Sequence, residues 1–128
     1  MPAPRPRLAV LLLSALALAG SGCAQQPERP PVALGSTQTL AVGDALRYDD
    51  GLGLRLQKIE DSRCRQGMIC VWAGELAPVF ELRGGLAGEP PVELRMGTGT
   101  ARAKQQGRYR FVLLQVTPEA ATFTLTRP

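Results

Sequence analysis

From Thr37 onward apolar side chains recur at every second residue, and glycine or proline breaks the alternation every eight to twelve residues. A helix that buries one face needs a period of 3.6, and no segment shows it; a period of two is the signature of strands with one face in a core. Leu40 and Val42 begin the first such stretch, Leu46 and Tyr48 mark the second, and Leu52, Leu54 and Leu56 the third. The turn between the last two is set by register. A two-residue Asp50-Gly51 loop would set Leu46 against Arg55, whereas the three-residue loop Asp49-Asp50-Gly51 sets Leu46 against Leu54 and Tyr48 against Leu52. The longer loop is expected, with Gly51 supplying the positive φ at its end and both aspartates left in a solvent turn. Turn chemistry accounts for Asp49 and Asp50 better than a catalytic carboxylate pair, and a calcium site would need more oxygen ligands nearby.

Further along, the alternation slips at Lys58 and Ile59, as a bulge or strand end would make it. Trp72, Leu76, Phe80 and Leu82 share one parity, although Pro78 among them argues for an edge strand or a bulge. A loop is expected over 84–90. Val92, Leu94 and Met96 then alternate with Glu93 and Arg95, and Gly97-Thr98-Gly99 turns the chain again. Arg102, Lys104, Arg108 and Arg110 form a cationic stretch with no acid between 101 and 111. It reads as the solvated face of a hairpin, or as a contact for anionic lipid or lipopolysaccharide. Residues 111–116 are apolar at both parities, as in a strand covered on both sides, and Phe123 and Leu125 alternate with threonines in a last strand that closes the sheet.

The chemistry-bearing residues concentrate in Asp61-Ser62-Arg63-Cys64-Arg65-Gln66-Gly67-Met68-Ile69-Cys70-Val71-Trp72-Ala73-Gly74, which holds two of the three cysteines and the only tryptophan. Two cysteines with five residues between them, in a chain without histidine, suit a small disulfide between Cys64 and Cys70 rather than a metal site. So short a ring stabilises by only about 2 kcal/mol; its main effect is a fixed local shape. Arg65 to Ile69 should form a rigid protrusion, and Trp72 should anchor the core at the start of the next strand, with Ala73 and Gly74 leaving space around it.

The pattern Asp-Ser-Arg-Cys, five residues, Cys-x-Trp-Ala-Gly resembles a signature of small, largely uncharacterised bacterial lipoproteins, in which proline usually follows the first cysteine where this chain has Arg65. The resemblance spans most of residues 37–127. It implies that the block joins two strands of an all-β domain and implies no activity. In layout the chain also resembles small lipid-anchored β-barrel peptidase inhibitors of the potempin kind.

The first 22 residues read as a secretory signal: Arg5 and Arg7 lead into an apolar run from Leu8 to Ala19 that is short for a bilayer span. Gly20, Ser21 and Gly22 before Cys23 resemble a lipobox, with glycine at Gly20 where the pattern prefers an aliphatic residue; cleavage after the Ala17-Leu18-Ala19 triplet is the alternative. Cys23 would become the acylated first residue, carrying a diacylglyceryl thioether and an N-acyl chain, and this would consume the cysteine left over by the disulfide. Several acyl chains hold far better than one. By resemblance to Gram-negative lipoproteins, Ala24 implies sorting to the outer membrane. Residues 23–36, with Pro27, Pro30 and Pro31, read as a semi-extended tether, and 37–128 as one domain.

Without the signal the net charge is only +2, so a sequence pI near 9.4 gives nucleic-acid binding little support. Enzyme classes fare no better. The usual general base is missing, Ser36 and Ser62 sit in no nucleophile motif, the cysteines lack redox spacing, and Glu60 and Asp61, adjacent on a strand, point to opposite faces. No cofactor, metal site or catalytic residue is expected. About eight short strands imply an all-β domain, with a small antiparallel barrel expected and a two-sheet sandwich as the alternative. The function expected is a lipid-anchored envelope binding module presenting the disulfide loop, through Arg63, Arg65 and Met68, to an envelope protein. The alternative is a peptidase inhibitor that places Arg63, Arg65 or Met68 in a specificity pocket, helped by the low entropy cost of a closed loop.

Overall fold

Alternating strands with one apolar face each must pair those faces, and this chain does so as two four-stranded antiparallel sheets. The computed structural model describes residues 29–85 and 88–128, and before them only 2–3 and 22; Cys23, the signal and most of the tether lie outside the described residues. The strands are β1 (Thr37–Ala41), β2 (Ala45–Arg47), β3 (Gly53–Asp61), β4 (Leu76–Gly84), β5 (Gly88–Arg95), β6 (Ala103–Gln106), β7 (Tyr109–Val116) and β8 (Ala120–Thr126). One sheet has the order β1-β8-β7-β6 and the other β2-β3-β4-β5. No ladder joins β1 to β2 or β5 to β6, so the sheets pack as a sandwich and do not close into the expected barrel.

Edges that a barrel would have abolished are guarded individually. β2 has only three residues, and Val32 caps its outer side by donating to the Arg47 carbonyl and accepting from Asp49 N–H. Edge strand β5 carries Pro90 and Pro91, which offer no N–H to a passing strand, and edge strand β6 carries Lys104. The loop expected over 84–90 is shorter than that, since β4 runs to Gly84, β5 starts at Gly88 and these two residues pair.

Between the sheets Phe80 meets Phe123 edge-on at 5.1 Å between centroids and lies 6.3 Å from Phe111. Leu40, Tyr48, Leu54, Leu56, Leu82 and Leu125 fill the layer around them. Leu46 faces Leu54, Tyr48 N–H donates to the Leu52 carbonyl, and Gly51 has φ +92°, so the three-residue turn forms as expected. The register shift between Leu56 and Lys58 is the expected bulge. Pro78 sits beside that bulge, paired with Ile59, in a central strand and not at an edge, and its carbonyl accepts from Met96 N–H. β7 is not covered on both sides: Leu114 faces solvent, beside a register shift between Leu113 and Gln115. Val32 and Leu34, expected in the tether, pack on the core.

The strand directions sort the connections to two ends. The β2–β3, β4–β5 and β6–β7 turns share one pole with Val32 and Arg127, where the domain begins and ends. The β3–β4 loop, the 97–102 crossover and the β7–β8 turn share the other, one length of β3 away, roughly 26 Å.

The Tyr48 hydroxyl is buried with no hydrogen-bond partner among the described residues; burial first and Asp50 second push its pKa well above the phenol range. An unsatisfied buried hydroxyl costs about 1–3 kcal/mol, so Tyr48→Phe should leave the fold unchanged and raise stability by about 1 kcal/mol in urea unfolding. A loss of stability would mean that the hydroxyl has a partner.

Candidate functional site

The disulfide loop continues the β3–β4 hairpin beyond its regular ladder. Ser62 N–H donates to the Glu75 carbonyl at 3.0 Å and Cys64 N–H to the Ala73 carbonyl at 3.0 Å. The Ser62 hydroxyl fills the gap between them, donating to the Glu75 carbonyl and accepting from Glu75 N–H at 3.1 Å. The two stems cross so closely that a Cβ at Gly74 would run into the Ser62 carbonyl, and Gly74 has a φ of +73° besides. Glycine is therefore required there to let backbone meet backbone, not to leave room for Trp72.

Glu75, at the root of the loop, is the one buried charged residue, at 3 % exposure, among those described. Its carboxylate accepts from Gly99 N–H and Thr100 N–H at 3.0 Å each and from the Thr100 hydroxyl at 2.9 Å, with an Arg95 guanidinium nitrogen 3.5 Å away. Burial opposes its ionisation most strongly, yet the bonds from Thr100 and Gly99 and the charge of Arg95 together hold the carboxyl below its ordinary range. Gly97 packs against this carboxylate where a Cβ would collide with it. The root of the loop is thus clamped to the crossover between sheets. Arg95 reaches on to Glu60 at 2.9 Å, which Lys58 also pairs at 3.1 Å.

Beyond the root the loop leaves the sandwich. Cys64 and Cys70 are joined by a disulfide, as expected from their spacing. Arg63 forks onto Asp61, with Nε and Nη2 donating to the two carboxylate oxygens at 2.9 and 2.8 Å while Arg63 N–H adds a third bond. This pairing holds the Asp61 carboxyl down at about 2 and commits the Arg63 side chain to the stem. A tight turn from Arg65 to Met68 carries the tip. There Ile69 and Val71 are exposed at 104 % and 105 %, with Met68 and Trp72 at 64 % and 53 %. Trp72 is therefore not the core anchor expected of it. The stems cross at Ser62 and Gly74, so the chain enters the core only from Leu76 and Trp72 is left on the protrusion.

Of the expected binding residues, Arg65 and Met68 lie on the exposed tip and Arg63 on its stem. Sequence reasoning missed Glu75 and the apolar pair Ile69 and Val71. It also placed Asp50 in solvent, whereas Asp50 accepts from the Tyr109 hydroxyl at 2.6 Å and pairs Arg127 at 3.6 Å. In the cationic stretch Arg102 donates to the Thr98 carbonyl and Lys104 to the Arg95 carbonyl. No family model, curated protein or solved structure matches the chain.

Two outcomes follow from this geometry. A carboxyl depressed on folding stabilises above its ordinary pKa, and that contribution is lost as pH falls through the folded value. Glu75→Gln should therefore lower the thermal midpoint by several degrees at neutral pH and lose less than the parent on acidification below pH 4; parallel profiles would contradict the clamp. A carboxyl-detected NMR titration should give Asp61 a midpoint near 2, and an ordinary value near 3.8 would show that the Arg63 fork does not persist in solution.

Proposed function

We propose that the protein is a non-enzymatic binding module of the bacterial cell envelope, anchored by lipid on Cys23, which presents the Cys64–Cys70 loop to another envelope component. One observation carries this reading: four apolar side chains stand in solvent on a protrusion held by a disulfide, a bidentate ion pair and a buried carboxylate clamp. Exposed contiguous apolar side chains mark interaction sites in folded proteins, and a pre-ordered loop loses little entropy when it docks. The loop lies at the pole opposite the one where Val32 enters the sandwich, so a chain tethered through its N-terminal segment holds the loop away from its anchor. The inhibitor reading has less behind it, because Arg63 spends its guanidinium on Asp61 and leaves Arg65 and Met68 as the candidates for a specificity pocket.

Replacing residues 65–69 by glycine and serine, with both cysteines kept, should leave the thermal midpoint within a few degrees and abolish photo-crosslinking from Val71 in intact envelopes. Absence of crosslinking from the parent would refute the binding role, and inhibition of a defined serine, cysteine or metallopeptidase by the parent alone would establish the inhibitor instead. For the anchor, intact mass of protein taken from its own membranes should show an acylated start at Cys23; an unacylated soluble start would remove the anchor from the account.

A further inference from the structure

We infer that the tip of the loop is a wedge for an anionic lipid surface facing the one that holds the anchor, a partner class for the same loop; the inference rests on the reading of that loop as the binding surface. Ile69 and Val71 are as exposed as residues of an isolated peptide, and Met68 and Trp72 flank them, so the apolar tip is convex and offers itself to a soft interface. From Ser62 to Gly74 there are two arginines and no acidic residue. With Arg63 tied to Asp61 on the stem, Arg65 is the remaining cation on the tip. Two fully exposed aliphatic side chains, a half-exposed tryptophan and an arginine on one short protrusion are the residue types that a bilayer surface accepts at its acyl, interfacial and phosphate levels. The crossed stems and the disulfide keep the apolar residues from folding back, which leaves burial in a second phase as their route out of water. A second copy is a poorer occupant, because tip-to-tip pairing would bring two Arg65 side chains together. A protein cleft is the remaining competitor.

Trp72 is the only tryptophan in the chain, so its fluorescence reports the tip directly. The experiment uses residues 23–128 carrying Cys23→Ser, so that no acyl chain contributes, with vesicles of phosphatidylglycerol and phosphatidylcholine in equal parts. Trp72 emission should shift to the blue and be quenched by brominated acyl chains. Ile69→Ser with Val71→Ser should weaken vesicle binding at least tenfold, and Arg65→Gln about fivefold, from the attraction of one cation to an anionic surface. Arg110→Gln, in the cationic stretch at the other pole, should change nothing. An unchanged Trp72 spectrum, or binding that responds to Arg110 and not to the tip, overturns the inference. Photo-crosslinking from Val71 to a protein, with no response to vesicles, retires the lipid assignment and leaves the binding reading standing; absence of both retires the two together.

Discussion

The Glu75 carboxylate, buried and held by Gly99, Thr100 and Arg95, is the constraint on which the upper half of the molecule depends. An ionised carboxylate out of water is tolerated only when its oxygens are met by donors, and here the donors are backbone and side-chain groups of the segment that carries the chain from one sheet to the other. One bonded group thereby settles two things. It fixes the crossover that replaces a β5–β6 ladder, and it fixes the strand end from which the disulfide loop projects.

A second carboxylate does the corresponding work at the opposite pole. Asp50, in the β2–β3 turn, caps Leu52 N–H and accepts from Tyr109 on the other sheet, with Arg127 alongside. The two sheets are thus tied across the core by aromatic packing and at one end by Asp50, while at the other Glu75 ties its sheet to the segment that crosses to the second. A sandwich needs such ties more than a barrel does, because no backbone ladder joins its layers. The ties also divide the molecule into a pole where the described chain enters and leaves and a pole that carries the loop, which is why the geometry suits display.

Much of the fold was legible in the sequence because strand periodicity and turn chemistry are local. Leu46, Tyr48, Leu52 and Leu54 set their own register around Gly51, and the slip at Lys58 announced its bulge. The pairing of Cys64 with Cys70 followed from a short spacing and the absence of histidine. Closure was not legible, since whether β1 meets β2 is decided by how two finished sheets twist and pack. The Glu75 clamp was hidden for a related reason: its donors lie 24 and 25 residues away in Gly97-Thr98-Gly99-Thr100, which by itself reads only as a turn. Trp72 misled because a lone tryptophan before an apolar strand ordinarily belongs to the core. What excluded it was the close crossing at Gly74, a backbone contact that periodicity does not register.

A preformed binding protrusion requires that the root of the loop be locked while its tip remains in water. Native-state amide exchange, followed residue by residue, tests this most directly. The Ser62, Cys64, Gly99 and Thr100 amides should be protected nearly as well as those of β3 and β4, while Ile69 and Val71, which donate no backbone bond to the scaffold, should exchange at close to unprotected rates. Rapid exchange at Gly99, Thr100 and Ser62 would mean that the clamp is open in solution and the loop is a loose flap, and the case for a preformed binding protrusion would fail.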